Sequence, residues 1–335
     1  MLHRRSIIRG SLALGAASAL PLKDARAQNK PLVKVRYNEV VRSTFYVPAY
    51  VAITKGYFKE AGLDVELSTA NGGDKSMAAL LSDGADIALM GPEAAIYVLN
   101  SDSSIKVRIF CGLTSTDGFM LVGRNKVDKF DWSMLKGKEI LGYRPGSTPL
   151  LFFQEAMRMN GVNPDTDVKL NNNVAIPARY GSWLAGQNEY AIFHEPDASQ
   201  LELDGKAYFL ASVGATTGFA DYTSFMATDK YINANPAVLQ NWTNAIYRAQ
   251  KWTASASAAD IVQAIAGFFP SVNAKAMKAA AERYQKLKIW KDAPVIEPKA
   301  IDRFQDILVN GHVLDQDKRV KFADLIRTEF AARAK

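Results

Sequence analysis

Between residues 33 and 113 short apolar runs alternate with longer stretches in which apolar side chains recur every three or four positions. The runs Val33 to Val40, Val65 to Leu67, Asp86 to Met90 and Val107 to Leu113 predict strands, and Val47 to Ala61, Asp74 to Ser82 and Pro92 to Leu99 predict the helices between them. Such alternation predicts a parallel or mostly parallel sheet covered by helices. Pro48 and Pro92 stand at helix starts and Gly62 follows a helix end. The same grammar returns with strands at Glu139 to Tyr143, Val168 to Leu170 and Tyr190 to Phe193. Helices at Leu150 to Asn160 and Pro177 to Ala185 separate them. Gly214 to Thr223 has no periodicity and predicts a connection. Beyond Asp229 the pattern is helical: Pro236 to Thr253, Ala258 to Phe268, Ala274 to Lys286, Pro298 to Asn310 and Phe322 to Ala332. In the first of these Val238, Leu239, Trp242, Ile246 and Tyr247 form one apolar stripe that packs on the first αβ region.

At 335 residues and 48% hydrophobic content the chain is long enough for two packed cores. The apolar stretch Ser11 to Leu22 is too short to span a bilayer. With the basic start at Arg4, Arg5 and Arg9 and the small-x-small run Ala25-Arg26-Ala27, it predicts an export leader over residues 1–27, cleaved after Ala27. Arg4-Arg5-Ser6 has the look of a twin-arginine signal, with an ordinary secretory signal as the alternative. The predicted location is the periplasm.

The net charge of +7 changes meaning once that leader is set apart. Residues 1–27 hold five basic side chains (Arg4, Arg5, Arg9, Lys23, Arg26) and one acid, Asp24, so the remainder carries +3. No dense basic stripe is left, and a nucleic-acid partner is not expected. Cys111 is the single cysteine, set in an apolar run, and reads as a buried thiol. His194 and His312 are the only histidines beyond the leader, so neither a metal site nor a cofactor is expected.

Val47-Pro48-Ala49-Tyr50-Val51-Ala52 followed by Lys55-Gly56-Tyr57-Phe58-Lys59-Glu60-Ala61-Gly62-Leu63-Asp64-Val65 resembles the substrate-binding proteins of ABC importers of the nitrate, sulfonate, taurine and thiamine-pyrimidine type. Ala79 to Ala88, Leu135-Lys136-Gly137-Lys138-Glu139-Ile140 and Glu195-Pro196 extend the resemblance over residues 33 to 330. It implies an α/β type II periplasmic binding protein fold, two αβ lobes joined by two crossovers, with the C-terminal helices on the first lobe. The crossovers would fall near Leu113 to Phe119 and Gly214 to Thr223. The first lobe would comprise residues 30–116 plus 224–335 and the second 117–223. The implied function is capture of a small-molecule solute for an ABC permease by a monomer, not catalysis. Alternatives are an enzyme on the same fold, such as a pyrimidine-precursor synthase or another small-molecule lyase, or a solute-sensing partner of a receptor. Such synthases depend on a cysteine-rich motif, from which this chain departs.

Loops at the carboxyl ends of strands face the cleft in such sheets, which names the candidates. Asn71, Gly72 and Gly73 precede a helix whose N–H groups are open to an oxygen, or the glycines serve a turn. Tyr143, Arg144, Gly146 and Ser147 open the corresponding helix of the second region, with Arg144 a charge-assisted donor and Ser147 or Thr148 a helix cap. Phe45, Tyr46 and Tyr180 are aromatics able to sandwich a flat ring. Arg42 would meet a polar tail, Asp117 a ligand N–H or the hinge, and Glu195 the cleft rim. Glu93 discriminates most: a carboxylate beside an anion is costly, so it points to a small nitrogen-containing or heterocyclic solute with N–H donors, such as an amino-pyrimidine, or else it complements its own helix N-terminus.

Overall fold

The computed structural model describes residues 31–335, and the predicted leader lies outside them. Ten strands follow in chain order: β1 (Val33–Glu39), β2 (Leu63–Thr69), β3 (Ile87–Met90), β4 (Val107–Thr114), β5 (Met120–Gly123), β6 (Glu139–Leu141), β7 (Lys169–Asn171), β8 (Tyr190–Phe193), β9 (Tyr208–Ser212) and β10 (Thr223–Thr228). They form two five-stranded sheets, ordered β2-β1-β3-β10-β4 and β7-β6-β8-β5-β9. The chain passes from the first to the second between β4 and β5 and returns between β9 and β10.

Both sheets are mixed in the same way. β1 runs parallel to β2 and β3, and β10 lies antiparallel between β3 and β4. β6 runs parallel to β7 and β8, and β5 lies antiparallel between β8 and β9. The parallel strands β1 and β3 are buried along most of their length because helices cover both faces.

Helix Pro236–Ser255 supplies much of that cover. Its Trp242 is fully buried, with ring centroids 4.4 Å from Phe58, 5.2 Å from Tyr37 and 5.3 Å from Phe225. Tyr247, expected on the same stripe, is only half buried and lies under the Lys251 ammonium at 4.2 Å. The helix predicted over residues 47–61 divides into Val47–Thr54 and Tyr57–Glu60, because Gly56 takes a left-handed φ of 74° that ends the first segment. The last predicted helix likewise divides, into Phe322–Leu325 and Glu329–Ala332.

Two C-terminal helices reach beyond the first sheet. In Ala274–Lys286, Arg283 pairs with Glu195 at 2.6 Å and Glu202 at 2.5 Å, both from the second half. In Pro298–Asn310, Arg303 and Asn310 both contact the Glu155 carboxylate at 3.1 Å, on helix Thr148–Met159. Replacing Trp242 by alanine opens a large void in the aromatic cluster, and chemical denaturation should register a loss of about 3–5 kcal/mol. A loss below about 1 kcal/mol would mean that the cluster does not anchor the helix to the sheet.

Candidate functional site

The parallel strands of both sheets end at one place. β1 and β3 deliver Val40 to Tyr46 and Met90 to Glu93, while β6 and β8 deliver Tyr143 to Pro149 and His194. β5 and β10, being antiparallel, begin there and contribute Phe119 and Tyr222-Thr223. These segments, with Gly73 and Ile176, enclose a cavity of about 80 Å3. Its wall is rich in aromatics: Phe45 and Tyr222 lie 5.3 Å apart edge-on, and Phe119 stands edge-on to Tyr143 at 5.0 Å and to His194 at 5.6 Å.

The wall is fixed from behind. Ser43 Oγ donates to the Glu195 carbonyl at 2.7 Å and accepts from the Phe45 N–H at 3.2 Å. Tyr284 Oη donates to the Gly118 carbonyl at 2.8 Å and accepts from the Glu195 N–H at 2.9 Å, which ties a crossover to the end of β8. Gly118 has no substitute here, since an added Cβ would stand 2.5 Å from the Phe45 ring. Arg179 stacks on Tyr143 at 3.7 Å and donates to the carbonyls of Gly142, Leu141 and Ile192, which fixes the loop holding Tyr143 and Arg144.

Glu93 is the charged group in this wall that no cation meets. Its Oε1 accepts a long hydrogen bond, 3.4 Å, from the Thr148 N–H at the start of helix Thr148–Met159. Its Oε2 and the buried Thr148 hydroxyl lie beside each other short of full hydrogen-bond geometry, and neither has another partner. Burial holds the Glu93 carboxyl above the usual carboxylate range, tempered by Thr148 and nearby backbone N–H groups. Gly91 leaves room for both groups: a Cβ there would lie 2.1 Å from Glu93 Oε2 and 2.2 Å from Thr148 Oγ1.

Outside the cavity a cleft of about 860 Å3 shares Gly73, Glu93, Arg144 and Ser147 with it. Across this cleft Arg144 pairs two-pronged with Asp74 at 2.9 and 2.5 Å, holding the Asp74 carboxyl below its usual range. Tyr97 Oη donates to the Gly146 carbonyl at 3.0 Å in the same cleft.

A model of the NMT1-like family matches residues 27–267. The chain belongs to that family. YtlA of Bacillus subtilis (strain 168), which is named for binding without a stated ligand, is 38% identical over 306 residues, 91% of either chain. Among solved structures, the periplasmic nitrate-binding protein NrtA of Synechocystis PCC 6803 superposes with a TM-score of 0.77 at 16% identity, covering 89% of this chain and 87% of its own. The alkanesulfonate-binding protein SsuA of Xanthomonas axonopodis pv. citri, bound to MOPS, gives 0.71 at 15% identity, covering 89% and 99%. At these identities the likeness is one of fold, the α/β fold of periplasmic binding proteins.

Of the residues singled out from sequence, Phe45, Tyr46, Gly73, Glu93, Tyr143, Arg144 and Ser147 line the cavity, and Gly146 lines the outer cleft. Ser147 precedes helix Thr148–Met159 but turns its hydroxyl to the Arg144 carbonyl at 2.6 Å instead of capping. The others are placed elsewhere. Arg42 pairs with Glu39 at 3.0 Å and lies over Phe268, so its charge is met inside the first half. Asn71 is exposed in a left-handed turn with φ 57°, and Gly72 is buried beneath the Arg144–Asp74 pair. Tyr180 borders a separate surface cleft with Asp197 and Asp204. Glu195 is fully buried, bonded to Ser199 and Arg283. Asp117 sits behind the wall, where its Oδ1 accepts from the Phe119 N–H at 2.6 Å. Thr148, Tyr222 and Ser43 join the site without having been singled out as ligand residues. Tyr222 lies in a segment with no periodicity, and β10, which follows it, is not predicted from the sequence.

Asp117 Oδ2 and the neighbouring Tyr222 hydroxyl are both buried without a hydrogen bond. Burial first of all raises the Asp117 carboxyl from 3.8 to about 7, against the opposing effects of the Phe119 N–H and Tyr222. The folded state therefore keeps a proton that the unfolded chain releases, and this contribution to stability is lost as pH rises from about 4 to 7. Glu39, also raised to about 7, adds a slope of the same sign. Asp117→Asn should remove its own share, making the variant more stable than the parent at pH 8 by about 2–4 kcal/mol and equal to it near pH 4. Denaturation curves that keep the same separation at both pH values would mean that Asp117 is ionised in the native protein.

Proposed function

We propose that this chain captures a small nitrogen-bearing solute outside the inner membrane and delivers it to an ABC permease. The two sheets act as cores of two lobes, residues 30–116 with 224–335 and residues 117–223, which close over the solute about the paired crossovers. Contacts to both lobes favour the closed form, so solute and closure stabilise each other. Residues 1–27 direct export and are removed after Ala27, and the mature protein works as a monomer without a cofactor.

The observation that carries this reading is Glu93: a buried carboxylate in the wall between the sheets, with one oxygen unbonded and no cation against it. A solute that brings an N–H donor, above all a cationic one, satisfies that oxygen and offsets the cost of burying the charge. An oxyanion there meets like charge in a low-dielectric site. The relatives support the general role of binding and differ among themselves in what their names say they bind, so the wall of this chain decides the solute class.

A thermal-shift screen of amines, amidines and nitrogen heterocycles alongside nitrate and alkanesulfonates should raise the melting temperature with the nitrogenous compounds alone. Glu93→Gln keeps the shape and removes the charge, and calorimetry with a bound amine should then show affinity about ten- to a hundredfold weaker. Oxyanion binding that is indifferent to Glu93→Gln would reduce Glu93 to a cap on helix Thr148–Met159.

A further inference from the structure

The cavity and the outer cleft meet along a common wall. At about 80 Å3 the inner space is roughly half of the 150 Å3 that admits a benzene ring, so in this arrangement it holds a group of only a few heavy atoms. The outer cleft, about 860 Å3, is bordered largely by apolar side chains: Met77, Leu81, Ala94, Tyr97, Val98 and Pro145. Glu93 and Arg144 border both spaces.

We propose that the solute is bipartite, with a compact cationic head of the ammonium or amidinium class seated against Glu93 in the inner chamber and an apolar stem of several carbons running past Arg144 and Asp74 into the outer cleft. This deepens the reading that Glu93 receives a nitrogen-bearing group and rests on it.

Charge selects the head. Arg144 is held two-pronged by Asp74 and does not neutralise Glu93, so the inner wall keeps one uncompensated acid. Thr148 Oγ1, buried and unbonded beside Glu93 Oε2, is a second acceptor for the same N–H-rich group. Polarity selects the stem, because the space next to that head is large and mainly apolar. Arg144, which lines both spaces, and Asp74, which lines the outer cleft, form a pair whose side chains are 42% and 60% exposed. Ion pairs this exposed hold weakly, so a stem can displace the pair sideways at little cost. The pair crosses directly over Gly72, where an added Cβ would stand 2.6 Å from Asp74 Oδ1 and 2.7 Å from Arg144 Nη2.

Isothermal titration of the protein with the n-alkylamine series from methylamine to hexylamine tests the division. Once the chain outgrows the inner chamber, each further methylene should tighten binding about fourfold as it enters the outer cleft. Ala78 borders the outer cleft alone and is exposed on helix Gly73–Leu81, so Ala78→Trp fills that space without disturbing the core. The variant should compress the hexylamine-to-ethylamine affinity ratio at least tenfold. Affinity that is flat with chain length, or a ratio unmoved by Ala78→Trp, overturns the bipartite solute while the amine-binding reading stands. Absence of binding by every amine in the series overturns both.

Discussion

A parallel strand leaves its sheet at its carboxyl end and must cross over before the next can pair beside it. In this chain that requirement is met twice, by β1 and β3 in one sheet and β6 and β8 in the other, and all four ends converge. The antiparallel members β5 and β10 complete the arrangement. Because each runs against its neighbours, its amino end lies where theirs have their carboxyl ends. The two segments that connect the sheets therefore start and finish beside the cavity, and Asp117, Gly118 and Tyr222 on them are part of its support. Any change of angle between the sheets is felt directly by the residues that line the cavity.

That constraint explains why so much of the fold was legible in the sequence. Alternation of apolar runs with helical stripes places β1, β3, β6 and β8 and the helices after the first three, and those strand-to-helix junctions follow without knowledge of any side-chain contact. What was less legible has local causes. Gly56 interrupts a pattern that is helical on both sides, and the break depends on its left-handed conformation, not on periodicity. β5 and β9 are short strands, and β9 keeps several residues open to solvent, so neither shows a plain alternation. The reach of the C-terminal helices across both halves rests on Arg283 and Arg303, whose partners Glu195 and Glu155 are over 85 residues away in sequence.

The candidate site was legible as loops and much less so as charges. Arg42, Arg179, Glu195 and Asp117 all lie near strand ends, and each has a partner that only the folded chain supplies: Glu39 for Arg42, three carbonyls for Arg179, Arg283 for Glu195 and the Phe119 N–H for Asp117. A charged side chain beside a cleft is open to a ligand only if the protein has not already met it. Spacing along the chain says which residues come near the cleft, but not which of them arrive already paired. Aromatic residues fared better, because Phe45, Tyr46 and Tyr143 reach the cavity by being on the loop, whatever else they touch.

Glu93 shows how the same geometry can be turned to opposite ends. The start of helix Thr148–Met159 presents backbone N–H groups and the positive end of the helix dipole to the cavity, an arrangement suited to an oxyanion. Here the Thr148 N–H already faces a carboxylate of the protein itself, Glu93 Oε1, across the cleft. That contact is long, at 3.4 Å, and leaves the second oxygen unbonded. The donor that would recognise an anion is thus occupied, and the group occupying it adds a charge that repels one. With Gly91 making room and Arg144 held by Asp74, the wall places a carboxylate beside the helix start. On the proposed reading, one acidic residue across the cleft from a helix start turns the cavity from oxyanions toward N–H donors while the fold around it stays the same.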